Sequence, residues 1–377
     1  MKVLTSVFLC VLLAGMLHSA VIGDMAPELD LGPVLKDRKF TLAEMRGKKI
    51  TVLHFWKTGC SPCAQSVGMI NELAALYRGK VEFMAIGAGM PQDLRREPHW
   101  KSYQCPVVSD SLLRTVELYL PQKRSFPMDA VIGKDGKLLW CGSTVLLAGV
   151  LAEIMEGKYD LAAAVSLDRF NREMSTAMDK KDYQTALRTL RARRKAFPED
   201  SMLAVAEANI LAGHCKKTEE GLQVLDQAIA KAPQLYMLYQ AKMQVLQHAT
   251  PPEDPRRIRI YQDIAAAFRN RPRLLTQLAS GMMKQKVGSF ELLGVYHLAY
   301  AAYHSSAGKT GEDRGKAAAA LARSYYYIGM PERAVIYQAE AVSLLKKTPE
   351  IRRYEADLAF YRNTLIAAEA VKKLEAK

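Results

Sequence analysis

Residues 50–77, "ITVLHFWKTGCSPCAQSVGMINELAALY", constrain this chain more than any other stretch. The first seven are β-branched, aromatic or otherwise apolar apart from His54, the pattern of a strand buried on both faces. A short turn follows, then Cys60 and Cys63 with only Ser61 and Pro62 between them. Beyond Cys63, Val67, Ile70, Leu73, Ala74 and Tyr77 recur at helical spacing. Two close cysteines between a strand and a helix can do redox chemistry, bind a metal or staple the chain. A zinc ribbon needs a second close pair of ligands, and Cys105, Cys141 and Cys215 stand alone. A staple across so short a loop removes little entropy from the unfolded chain. The redox reading has a positive mechanism. A cysteine in the first turn of a helix has its thiolate stabilised by unpaired N–H groups and the helix dipole. A second cysteine one turn later is placed to resolve a mixed disulfide. Pro62 is tolerated in that turn, where its missing N–H would be unpaired anyway.

The surroundings alternate strands with helices from about residue 33 to 155. "VEFMAIGA" (81–88) reads as a second buried strand, and "PQDLRREPHWKSY" (91–103) as a short helix ending in a loop. "AVIGKDGKLLW" (130–140) reads as two strand segments about the Asp135-Gly136 turn. "TVLLAGVLAEIMEG" (144–157) closes the unit as a helix. This order predicts an α/β fold, a central mixed sheet with helices on both faces.

With these pieces in order, residues 21–157 resemble the thioredoxin superfamily, in particular its exported TlpA/ResA-like thiol–disulfide oxidoreductases. The resemblance rests on "GDMAPELDL" (23–31), "TLAEMRGKKITVLHFW" (41–56), the CxxC, "CPVVSD" (105–110) and "SFPMDAVIGKDGKLLWCG" (125–142). It implies that Cys60 is the nucleophile, Cys63 the resolving thiol, and Pro127 a cis-proline facing them. It further implies substrate contacts at Trp56, Gly59, Ser61, Pro62 and Phe126, and protein thiols or disulfides as substrate. No metal or other cofactor is implied. Thr58 and Gly59 stand where the family usually carries a tryptophan, so substrate preference does not transfer. His54 sits near the family's buried acid; it is either a proton relay to Cys63 or a hydrogen-bonded core histidine. Lys57 either assists the Cys60 thiolate or is an exposed loop lysine with no specific role. With no cation between the cysteines the thiolate bias is weak, which predicts a reductant or isomerase recharged by a membrane electron donor. A peroxiredoxin is disfavoured, because no proline and threonine precede Cys60 at the spacing that chemistry uses. Cys105 and Cys141 read as buried small hydrophobes rather than a second disulfide.

The two ends of the chain carry other signals. Met1-Lys2 precedes "VLTSVFLCVLLAGML" and then "HSA", a signal-peptide pattern with a cut after Ala20. It predicts a periplasmic or otherwise exported protein, with an uncleaved N-terminal anchor as the rival reading. Cys10 would leave with that segment, and an odd number of cysteines remains.

After Gly157 strand patterns vanish, and residues 158–377 are expected to be all α. "DYQTALRTLRARRKAFPED" (182–200) and "TEEGLQVLDQAIAKAP" (218–233) superpose with Pro198 and Pro233 35 residues apart. Residues 320–350 show a similar two-helix pattern. These spacings resemble tetratricopeptide repeats, although 251–312 fit no clean repeat, and a generic helical bundle is the plainer reading. Most of the net charge of +14 belongs to this half. Residues 21–157 hold 17 Lys and Arg against 15 Asp and Glu, and residues 158–377 hold 35 against 24. In an exported protein that favours acidic partners or peripheral contact with anionic lipid over nucleic acid. Arg188, Arg191 and Lys195 share a helical face that is either simply solvated or lines a groove gripping an acidic segment. "YHSSAGKT" (303–310) lacks the first glycine of a phosphate loop and reads as a connector, and His297 and His304 have no ligand company. Two functions therefore compete: an oxidoreductase whose helical half recruits a client or partner, and a helical scaffold whose thioredoxin-like domain is mainly a binding module.

Overall fold

The computed structural model describes residues 19–120, 125–283, 289–309 and 311–375. The signal-peptide pattern, Cys10 included, falls outside them except for Ser19 and Ala20. The chain divides into two compact units, residues 1–172 and 173–377.

The first unit is built on one six-stranded sheet. Three strands run parallel: β2 (Ile50–Lys57), β3 (Val81–Ala88) and β4 (Val107–Asp110). β5 (Met128–Ile132) is antiparallel to β2, β6 (Leu138–Ser143) to β5, and β1 (Val34–Lys36) to β4. The order across the sheet is β1–β4–β3–β2–β5–β6. β1 and β4 have three and four residues, too few alternations to register as periodicity in the sequence.

β2 lies at the centre, which explains its near-continuous apolar run. Val52 and Trp56 face one side, where they meet Ile70 and Leu73 of α2 (Ser61–Leu76) and Leu147 and Leu151 of α5 (Thr144–Met155). Leu53 and Phe55 face the other, against α1 (Leu42–Met45), α4 (Arg114–Tyr119) and the start of α6 (Leu161–Asp179). Each such side chain removed from water contributes about 1.5–3 kcal/mol. The connection after β3 holds α3 (Pro91–Leu94) and a 3₁₀ turn, Pro98–Ser102. It leaves the same sheet end as the turn after β2, because β2 and β3 are parallel and in register. That topology brings residues 57–63 and 97–103 together.

The second unit is helical throughout its described residues. It comprises the end of α6, then α7 (Tyr183–Ala196), α8 (Ser201–Asn209), α9 (Thr218–Lys231), α10 (Tyr236–Ala249), α11 (Arg256–Ala267) and α12 (Pro272–Met282). α13 (Ser289–Ser305), α14 (Gly311–Tyr327), α15 (Pro331–Leu344) and α16 (Ile351–Glu375) complete it. Its core joins α8 to α16 through small and aromatic residues, among them Ala208, Tyr239, Tyr261, Ala299 and Leu321. α7 and α8 begin at 183 and 201; α9 and α10 begin at 218 and 236, a displacement of 35 residues.

The basic face expected along α7 is partly spent inside the fold. Arg191 and Arg194 bind the carboxylate of buried Glu207, at 2.6 and 2.8 Å. Elsewhere Arg257 pairs with Glu291, Arg273 with Asp313, Arg314 with Glu340 and Arg323 with Asp357, each across two helices. These arginines therefore brace helix against helix. Among the described residues no helix is long and apolar enough to cross a membrane.

Candidate active site

β2 ends at Lys57 and the chain turns through Thr58 and Gly59. Gly59 has φ +66°, a left-handed backbone that a residue with a Cβ resists. Cys60 is the N-cap of α2, and Pro62 occupies its first turn. Cys60 and Cys63 are joined in a disulfide, their Cα atoms 5.2 Å apart. The two sulfurs are unequal: Cys60 keeps 8% of its surface exposed, Cys63 none. Only Cys60 can be approached from outside. The Cys63 backbone N–H donates to the Cys60 Sγ at 3.2 Å. Once the disulfide is reduced, that donor and the helix N-terminus favour the thiolate at Cys60.

The opposite wall comes from the segment before β5. The register pairs Phe55 with Met128, so Phe126 and Pro127 emerge beside the turn after β2. The Phe126–Pro127 peptide is cis. The Phe126 carbonyl oxygen lies 3.6 Å from the Cys60 Sγ, and the Lys57 ammonium stands 5.6 Å from the Phe126 ring centroid.

Beneath the disulfide runs a buried polar chain. His54 is fully enclosed on β2, and its Nδ1 lies 2.7 Å from Asp129 Oδ1 on β5. With Asp129 ionised, Nδ1–H is the donor. The other ring nitrogen, Nε2, lies 3.0 Å from the Tyr103 hydroxyl and 3.4 Å from Ser66 Oγ. Ser66 in turn donates to the Cys63 carbonyl at 2.8 Å, linking the histidine to the first turn of α2. Burial, with Cys105 and Asp129 nearby, pushes the Tyr103 phenol far up, so it keeps its proton. Asp129 Oδ2 is buried with no hydrogen-bond partner in the protein.

A second layer comes from the connection after β3. Gly59 N–H donates to Glu97 Oε1 at 2.7 Å. His99 packs edge-on against Trp56, ring centroids 4.9 Å apart, with its Nδ1 3.8 Å from Glu97 Oε2. Burial holds the His99 pKa below its ordinary value, against the raising effect of Glu97.

Of the residues singled out in the sequence, Cys60, Cys63, Gly59, Phe126 and Pro127 converge on one opening. Ser61 and Pro62 are exposed beside it on α2. His54 lies below. Trp56 is wholly enclosed beneath this opening in the oxidised structure. Asp129, Tyr103, Ser66 and Glu97 were not singled out. Asp129 did carry a signal, a charge inside the otherwise apolar strand "MDAVI"; Glu97 and Tyr103 reach the site only through the fold. Cys105, Cys141 and Cys215 are free thiols, and burial pushes Cys105 up to about 12. Among the described residues no cluster of three or more His, Cys, Asp or Glu could hold a metal ion.

A central mixed sheet with a CxxC disulfide at the start of its first long helix defines a thioredoxin-like domain. Residues 22–140 match the AhpC/TSA family model. The chain is 34% identical over 64 residues to the thioredoxin-like protein YneN of Bacillus subtilis, a match covering 17% of this chain and 36% of that protein. It therefore spans about a third of that relative's length. Among solved structures it is similar to a putative thiol:disulfide interchange protein DsbE from Chlorobium tepidum, at 24% identity and TM-score 0.31, covering 36% of this chain and 98% of that one. It is also similar to a secreted Mycobacterium tuberculosis disulfide oxidoreductase homologous to E. coli DsbE, at 20% identity and TM-score 0.25, covering 29% and 84%.

Proposed function

We propose that this protein is an exported thiol–disulfide oxidoreductase that reduces or isomerises disulfides in client proteins. The observation that carries this reading is the Cys60–Cys63 disulfide at the tip of α2, with one sulfur accessible and the other enclosed. In the reduced enzyme the Cys60 thiolate attacks a client disulfide. A Cys60–client bond forms and the client's other sulfur leaves as a thiolate, which takes up a proton. Cys63 then loses its proton and attacks the Cys60 Sγ. The Cys60–Cys63 disulfide forms and the second client sulfur leaves. Two electrons have passed to the client, and an external dithiol donor must return them.

The buried chain serves the second attack. Cys63 has no access to water, so its proton needs an internal acceptor. His54 is that acceptor: its Nε2 lies 3.4 Å from Ser66 Oγ in the turn that follows Cys63, and Asp129 holds the ring at Nδ1. Phe126 and Pro127 form the wall along which the client backbone lies.

In this reading the helical unit consists of tetratricopeptide-like repeats that recruit a client or partner, and a membrane-bound donor recharges the disulfide. The 35-residue displacement of the α7–α8 and α9–α10 pairs supports the repeats. The leader-like first twenty residues support export. Insulin reduction by dithiothreitol, with and without the protein, tests the chemistry. The wild type is expected to accelerate precipitation, Cys60→Ser to lose all acceleration, and Cys63→Ala to accumulate a mixed disulfide that can be isolated. A wild type no faster than Cys60→Ser would leave the helical-scaffold reading instead.

A further inference from the structure

Glu97 stands out among the groups the mechanism leaves unused. Its carboxylate comes from the connection after β3, 38 residues from the motif, yet it accepts the Gly59 N–H at 2.7 Å. Gly59 is the residue immediately before Cys60, so a fixed negative charge is tied down one peptide unit from the nucleophile. We propose that Glu97 is a positioning residue that sets the reduction potential of the Cys60–Cys63 pair, holding it more reducing than the helix tip alone would. This rests on the oxidoreductase reading above.

The argument is electrostatic. The N-terminus of α2 and the Cys63 N–H stabilise a thiolate at Cys60. Stabilising the thiolate favours the dithiol form and makes the disulfide a stronger oxidant. A carboxylate beside it has the opposite effect, because like charges disfavour ionisation. His99 borders Glu97 and does not cancel its charge: it approaches at 3.8 Å, but burial disfavours its charged form. The Lys57 ammonium is turned onto the Phe126 ring. The Glu97 side chain keeps about a quarter of its surface in water, 26%, so the effect is screened and moderate.

The test is an equilibrium between the full-length protein and glutathione: the disulfide plus two glutathione thiols gives the dithiol plus oxidised glutathione. The fraction reduced is read by acid quenching and thiol labelling. Glu97→Gln keeps an acceptor for Gly59 and removes the charge. It is expected to be reduced more readily, its equilibrium constant shifting about threefold, roughly 15 mV given about 30 mV per tenfold. The thiolate absorbance of its Cys60 is expected to titrate about half a unit lower. Glu97→Ala should move both readings the same way, and Glu97→Asp, which restores the charge, should lie nearer the wild type. A Glu97→Gln variant with wild-type potential overturns the inference and leaves the function standing. A wild-type pair that never exchanges with glutathione removes both.

Discussion

His54 and His99 are two histidines on the same face of the sheet with opposite surroundings. His54 has partners on both ring nitrogens. His99 is packed on Trp56 with its Nε2 buried and unpaired, and burial lowers its pKa. A histidine that stays neutral in the fold while the unfolded chain protonates near pH 6.5 makes the unfolded state the better proton binder. Stability is then fully present above that pH and falls as the pH drops through 6.5 toward the lowered folded value. Replacing the imidazole by a ring that cannot protonate removes this slope. His99→Phe is expected to show a flatter dependence of urea midpoint on pH between 7 and 5 than the wild type; parallel curves would mean that the proton is not excluded. His54 was legible in the sequence as a lone polar residue in an apolar strand. Its partners were not, because Asp129 and Tyr103 lie 75 and 49 residues away, and no local spacing encodes that pairing.

Local elements were legible where the pattern was long. The strand at 50–57 and the helix starting at the CxxC follow from apolar periodicity and from the capping chemistry of Cys60 and Pro62. The helical half was legible as helices but not as contacts, since periodicity names a buried face and not its partner. Two glycines show what packing adds. Gly315 lies inside α14, where a Cβ would come within 2.6 Å of the Leu345 Cγ and 3.1 Å of the Leu344 Cβ. Leu345 is fully buried and has nowhere to go. Gly281 lies inside α12 with nothing within 4 Å of such an atom. Alanine raises helix propensity by about 1 kcal/mol at both sites, while overpacking costs about 1–3 kcal/mol. Gly281→Ala is therefore expected to stabilise the protein by up to about 1 kcal/mol. Gly315→Ala should destabilise it by up to about 2 kcal/mol, the overpacking cost exceeding the propensity gain. Urea unfolding followed by far-ultraviolet circular dichroism reads both, and equal signs would contradict the packing argument.

At the scale of the molecule, each unit encloses its own apolar core, the first around β2 and the second across α8–α16. The chain's three tryptophans, Trp56, Trp100 and Trp140, all belong to the first unit. Most of the helix belongs to the second. Tryptophan fluorescence and far-ultraviolet circular dichroism thus report on different cores, and their transitions need not coincide. The disulfide also sits in the first unit alone. Even a short covalent loop limits the unfolded chain, worth about 1–2 kcal/mol for one this small. A reducing disulfide is by linkage one whose oxidised form the fold prefers. Dithiothreitol is therefore expected to lower the fluorescence-detected urea midpoint while moving the helical transition much less. If reduction raised the fluorescence midpoint, the fold would favour the dithiol, and the protein would act on its clients as an oxidant.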